Sequence, residues 1–240
     1  MSTGTNVAIS AQVAMERRLE AIANNIANVN TAGYRAMGVQ FSTELQQAGQ
    51  TQVSFSSTGT TYVVRNQGPI SHTGNSLDVA VDGEGWFGLE TPTGTVYTRD
   101  GRFHMTAEGD LQSVNGYKVL DTGGSPITLD TSGGPVAIAE NGGISQGGKK
   151  LGAIGLFTIP SDATLTRHDN SAVVTDKPAD PVEDMTANSI RQGYVEGSNV
   201  NPIIEMTRLI EASRAFDQAS TAIDQNDQVS QEAIKTLAPG

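Results

Sequence analysis

Apolar residues recur at alternating spacings of four and three at both ends of this chain, while its long middle follows a different period. Near the N-terminus Ala8, Gln12, Met15, Leu19, Ile22, Ile26 and Val29 form such a stripe, with only Gln12 breaking its apolar character. Toward the C-terminus Leu209, Phe216, Ile223, Ser230 and Leu237 recur every seven residues, and Ala212, Ala219, Asn226 and Ala233 lie three further on. A heptad period of this kind puts one seam on one face of a helix. The alanines on one edge allow a second helix to approach closely. The start of the C-terminal helix is marked as well: Ser198 or Asn201 can cap it, Pro202 fits its first turn, and Glu205 sits where acidic residues favour the helix dipole.

Taken singly, each stripe describes an ordinary amphipathic helix on a globular core. Placed at opposite ends of one chain, they predict that the ends come together. The seam of Met15, Leu19, Ile22, Ile26 and Val29 is expected to meet that of Leu209, Phe216, Ile223 and Leu237. Such a pair is lean. A buried Leu or Ile contributes ~1.5–3 kcal/mol, while ordering each residue costs ~1–2 kcal/mol. The polar faces and small residues are therefore expected to complete their packing against other subunits.

Between the helices the punctuation is that of short strands. In "SLDVAVDGEGWFGLE", Leu77, Val79 and Val81 alternate with Asp78, Ala80 and Asp82, as in a half-buried strand. Asp100-Gly101 reads as a hairpin turn, Glu108-Gly109 and Asn115-Gly116 punctuate the strands that follow, and "DTGGSP", "TSGG" and "ENGG" mark further turns. The expected fold is α+β: N- and C-terminal helices packed as a coiled-coil-like pair, with an all-β domain inserted between them. The expected boundaries are residues 1–41 for the first helix and its turn, 42–75 for an extended polar connector, 76–190 for the β-rich domain and 191–240 for the second helix. Residues 161–190 read as loop returning the chain to that helix.

Composition narrows the function. With 26 acidic against 15 basic residues the formal charge is −11, which disfavours nucleic acid and anionic lipid as partners. The chain has no cysteine, so disulfides, thiolate metal sites and a cysteine nucleophile are excluded. The N-terminal segment lacks a basic leader followed by an apolar run, and no stretch is apolar enough for a membrane span. Gly83, Gly85 and Gly88 satisfy the letters G-x-G-x-x-G, but the dinucleotide reading needs a helix next, and "WFGLETPTGTVY" is strand-like. His72, His104 and His168 have no partner at metal-ligand spacing. Asp78, Asp82 and Glu84 lack the rest of a calcium loop. No nucleophile elbow is present. Catalytic, metal and cofactor sites are thus all expected to be absent. Trp86, if exposed, would offer a stacking platform for a glycan.

Four segments carry a resemblance. "LEAIANNIANVNTAGYR", "SLDVAVDGEGWFGLE", "YTRDGRFHMTAEGDLQSVNGYKVL" and "VEGSNVNPIIEMTRLIEASRAFDQASTAID" occur in the order seen in the bacterial flagellar rod and hook family, and they cover both termini and much of the middle. Proximal rod members are the nearest match and distal rod members the next. The resemblance implies a structural subunit in which the terminal helices form the wall of a tube with the β-domain outside. Subunits would stack helically around the export channel as a drive shaft in the periplasmic part of the basal body. The implied partners are copies of the chain, other proximal and distal rod subunits, and the flagellar type III export apparatus in transit. Within that picture the unusual amides gain a role: Asn24, Asn25, Asn28 and Asn30, with Tyr34, Asn199 and Asn201, are expected to contact neighbouring subunits. An amide both donates and accepts without bringing a charge into a crowded interface.

Overall fold

A computed structural model describes residues 3–41, 43–48, 51–56, 59–182 and 185–237. The chain divides into two compact units. One comprises Met1–Ala27, Met37–Tyr62 and Asn201–Gly240; the other comprises Asn28–Ala36 and Val63–Val200. Two helices thus enclose a β-rich middle along the chain, which is an α+β organisation.

In the first unit, helix α1 spans Thr3–Ala27 and helix α2 spans Pro202–Leu237. Asn201 caps α2: its Oδ1 accepts from the backbone N–H of Ile203 at 3.1 Å and of Ile204 at 3.3 Å, satisfying two donors that a helix start leaves open. Ser198 instead accepts from Val200 in a local turn. The helices lie against each other, and α1 also packs on strands Met37–Gln40 and Thr51–Ser56. Asn25, in the last turn of α1, hydrogen-bonds Glu205, in the first turns of α2, so the helices run antiparallel.

Burial on α2 follows its heptad line. Ala212 is buried, while Leu209, Phe216, Ala219 and Ile223 are half-buried beside it. On α1 the most buried line is Ala14, Ala21, Ile22 and Asn25, one residue round from the expected stripe. Met15, Leu19 and Ile26 are half-buried flanks. The shift has a packing cause: alanine lets the helix axes approach, and larger side chains then close over the sides of the contact. Val29 is not part of the seam, because α1 ends at Ala27 and Val29 lies in the turn that follows. The side chains of Ala8 and Leu237 lie outside the described residues.

Thr43–Ala48 and Thr51–Ser56, within the expected connector, pair antiparallel from Thr43↔Ser56 to Ala48↔Thr51, and Met37–Gln40 pairs with Thr60–Val63. The exposed side of α2 near its start departs from the polar face expected there. Ile203 is 76 % exposed, and Ile204, Met206 and Ile210 are also open to solvent.

The second unit is built of short strands. Among the described residues its largest sheet has nine strands. Trp86–Thr91 is central: it pairs antiparallel with Gly94–Thr98 on one edge and with Leu156–Thr158 and Lys118–Val119 on the other. Alternation along this strand feeds two cores. Phe87 and Leu89 join Val79, Val81, Val96 and Leu111 on one face; Trp86 joins Tyr97, Phe157, Leu165 and Val173 on the other. Strand Val79–Asp82 is buried at Val79, Ala80 and Val81, so it is a fully covered strand rather than a half-buried one. Leu165–His168 and Ala172–Thr175, expected as loop, form an antiparallel pair within the same sheet.

Turn chemistry holds at two of the three sites. Gly109 (φ 94°) and Gly116 (φ 81°) sit in the turns that join Phe103–Met105 to Leu111–Ser113 and Leu111–Ser113 to Lys118–Val119. Asp100-Gly101 is not a hairpin, because the strands on either side of it take other partners. There Asp100 accepts from the backbone and guanidinium of Arg102, and Gly101 passes Val79 so closely that a Cβ would fall 1.8 Å from the Val79 carbonyl oxygen.

Candidate functional site

Where α1 ends and α2 begins, polar side chains interrupt the apolar seam. Asn25 is 2 % exposed. Its Oδ1 accepts from the Met37 N–H at 2.8 Å, and its Nδ2 donates to the Met37 carbonyl at 3.0 Å and to Glu205 Oε2 at 3.2 Å. Glu205 is buried too and accepts from Arg208 at 2.6 Å. One amide thus ties the end of α1, the start of strand Met37–Gln40 and the first turns of α2. This corrects the expectation that Asn25 faces a neighbouring subunit, since both ends of its amide are engaged inside its own chain. A buried polar pair on a helix seam fixes register, because any slip strands its hydrogen-bonding groups.

The other amides divide. Asn24 is exposed and donates to the Glu20 carbonyl. Asn28 is half-buried and accepts from Thr31 Oγ1 at 3.0 Å. Asn30 and Asn201 are exposed. Asn199 is engaged internally: its Oδ1 accepts from the Ala36 N–H at 2.6 Å, and its Nδ2 donates to the carbonyls of Val64 and Asn66. Tyr34 is wholly buried, with the Arg167 guanidinium 4.2 Å from its ring centroid. Tyr34, with no exposed surface, is therefore corrected as well; it and Asn199 hold segment Asn28–Ala36 in the second unit.

That segment leads into a buried ion cluster absent from the sequence-based expectations. Glu196, with no exposed surface, pairs with Arg35 and lies 3.3 Å from Arg99. Its Oε1 also accepts from the Gly68 N–H at 2.8 Å. The guanidinium carbons of Arg35 and Arg99 stand 5.7 and 5.5 Å from the centroid of Trp86. Two cations share one carboxylate and one aromatic ring. Burial pulls Arg99 down to about 10; Glu196 opposes that shift and Arg35 adds to it. Gly33 completes the turn beside the cluster. Its φ is +67°, its N–H donates to the Glu196 carbonyl at 2.8 Å, and a Cβ there would fall 2.1 Å from the Asp100 nitrogen. Trp86, 3 % exposed, is a seat for arginines and not a platform for a glycan.

The sequence carried a signal for Glu205, since stepping the heptad line back four residues from Leu209 lands on it. No spacing signal exists for Arg35, Arg99 and Glu196, which only the fold brings together. Among the described residues no group of three His, Asp or Glu is placed to hold a metal ion, and no helix is long and apolar enough to cross a membrane. Asn188 Oδ1 accepts from the N–H groups of Glu84 and Gly85, so the glycine run leads into strand Trp86–Thr91 and not into a phosphate-binding helix. The geometry is that of a chain whose polar residues fix its shape.

Three family models match the chain. Residues 6–35 match the model described as flagella basal body rod protein, 80–146 that of the flagellar hook protein FlgE/F/G D1 domain, and 191–236 that of the flagellar basal body rod FlgEFG protein C-terminal. The chain is 46% identical to the flagellar basal-body rod protein FlgF of Mesorhizobium japonicum, over 99% of this chain and 98% of that protein. It is 40% identical to FlgF of Rhizobium meliloti, again over 99% and 98%. Similarity to the flagellar basal-body rod protein FlgG of Agrobacterium fabrum is lower, 32% over 96% of this chain and 98% of that protein.

Proposed function

The chain belongs to the flagellar basal-body rod protein family, as a structural subunit most like FlgF, and from that premise we propose that it builds the proximal part of the rod. It is not an enzyme, and it assembles with other rod components. The observation that carries the proposal is the contact between the two chain ends. Helices α1 and α2 lie antiparallel, locked by Asn25 and Glu205, and α2 still presents Ile203, Met206 and Ile210 to solvent. These three share one helical face, at spacings of three and four. Burial of such residues in neighbouring subunits supplies the apolar area that a lean helix pair lacks.

In this reading the helices form a coiled-coil-like pair in the wall of a tube around the export channel. The seam residues Met15, Leu19, Ile22 and Ile26 meet Leu209, Phe216 and Ile223. Asn24, Asn28, Asn30 and Asn201 reach neighbouring subunits, and residues 31–60 link neighbours against bending. A contact between unlike patches on successive copies does not close on itself, so repetition gives a helical shaft. The shaft carries torque outward through the periplasm toward the distal rod protein FlgG, and subunits reach it through the type III export apparatus. The test is location: a peptide tag in the exposed 147–151 turn, imaged on purified basal bodies, should label the base of the rod. Label on the outer rod or the hook would refute the proximal assignment.

A further inference from the structure

We propose that a cavity in the second unit binds a small organic carboxylate. The cavity has a volume of about 580 Å³, within the range of small-molecule sites. All of its lining residues lie within that unit. Trp86, Ile159 and Arg99 are buried and form its floor; Asn66, Thr158 and Ser161 are exposed and form a polar mouth. Arg65, half-buried, adds a second guanidinium to the lining. An apolar and cationic floor suits a ligand with one anionic group and a short apolar body.

The charges decide the sign of the ligand. Arg35 and Arg99 share Glu196 as their one buried carboxylate. Arg99 stands 3.3 Å from it, longer than a usual charge-assisted hydrogen bond. The buried Nε of Arg99 has no hydrogen-bond partner among the described residues. Burial pulls its pKa down to about 10, although Glu196 and Glu84 pull the other way, as for a cation short of compensation. Arg65 donates to the carbonyls of Ile159, Pro160 and Ala163 at 2.8–2.9 Å. A guanidinium has five N–H groups, so donors remain after these three. No carboxylate pairs with Arg65 among the described residues. Asp162, next to Ser161, is itself paired with Lys177. The acidic residue in the lining is Glu84, which is exposed. Three guanidiniums thus meet two carboxylates, and one further negative charge completes the balance. A carboxylate supplies that charge and matches the guanidinium fork. A phosphate dianion would carry a second charge toward Glu84, where like charges repel.

Trp86 is the single tryptophan of the chain and lines the cavity, so its emission reports occupancy in the full-length protein. Titration with butyrate should change that emission saturably and raise Tm, because a ligand held only by the folded state stabilises it. Sodium chloride and inorganic phosphate at matched ionic strength should do neither. Two exposed lining residues separate binding from folding. Glu84→Gln removes the competing charge and should tighten butyrate binding several-fold. Ser161→Glu sets a carboxylate at the mouth and should weaken it several-fold. A purely structural role for the arginines would not move butyrate affinity in these opposite directions. N-acetylalanine distinguishes two sources of the carboxylate: tighter binding than butyrate assigns it to the end of a peptide, and weaker binding to a free acid. A response to chloride or phosphate as large as that to butyrate would overturn the proposal. So would the absence of a saturable change in both Trp86 emission and Tm, or an affinity that neither variant alters.

Discussion

Replacing Glu196 with glutamine removes the one anion from a site that holds two buried guanidiniums. The amide keeps the shape of the side chain and an oxygen for the Gly68 N–H, so the change isolates charge. Arg35 and Arg99, both almost wholly buried, then lie beside the Trp86 ring with no anion between them. Removing one partner of a buried pair costs about 3–5 kcal/mol, because the remaining charge has lost its compensation. For a unit of this size each kcal/mol lowers Tm by about 2–4 °C, so the fall should be roughly 6–20 °C. The chain has a single tryptophan, and it lies under both guanidiniums. Urea unfolding followed by Trp86 fluorescence therefore reads the cluster directly. Arg35→Gln supplies the internal contrast: it leaves one cation facing one anion and should cost less than Glu196→Gln. A loss under about 1 kcal/mol for Glu196→Gln, or the reverse order of the two variants, would refute the view that Glu196 balances both arginines.

Asn25→Leu should lower stability by about 1–3 kcal/mol, through unpaired groups on Met37 and Glu205, and speed hydrogen exchange at the ends of α1 and α2; unchanged exchange would remove its role as a register lock. Ala212→Leu adds volume at a buried position of α2 and should cost about 1–3 kcal/mol, read as lost helical ellipticity on heating. Gly33→Ala meets both a left-handed backbone and the Asp100 nitrogen, so it should destabilise by more than about 1 kcal/mol and deplete the folded protein in cell extracts. Asp110, Asp162 and Asp176 are held below the usual carboxylate range by hydrogen bonds from Lys118, Lys177 and Thr164. Their folded pKa values lie below the unfolded ones, so the stability they supply is complete above about pH 4 and is lost as pH falls further. Melting curves should thus shift as the pH falls through the acid range, and Lys177→Met should shrink that shift.

The helices and their mutual contact were legible because heptad periodicity is a local signal that survives into packing. Leu209, Phe216 and Ile223 are half-buried on one line of α2, and Asn201 caps the helix. On α1 the buried line moved to Ala14 and Ala21, because a hydrophobic pattern marks a face while closest approach is decided by the smallest residues on it. Val29 failed for a different reason: periodicity continued in sequence beyond the point where the chain turns at Asn28. The turn glycines at 109 and 116 were readable from their dipeptides. Asp100-Gly101 was not, since the same letters serve here to pass close to Val79. Among the amides, sequence gave the chemistry without the address. Asn25 and Asn199 each donate and accept, as expected of residues in a crowded place, but that place lies within the chain. Arg35, Arg99 and Glu196 were invisible because nothing in their spacing announces that three distant charges converge.

Helices from both ends of one chain, joined as a pair and completed by neighbouring subunits, are the core of this account. A reconstruction of the intact basal-body rod with side chains traced tests it most directly. It should place α1 against α2 within each copy of this chain, and cover Ile203, Met206 and Ile210 with adjacent subunits. Helices parted from each other, or those three side chains left facing open solvent in the assembled rod, would contradict it.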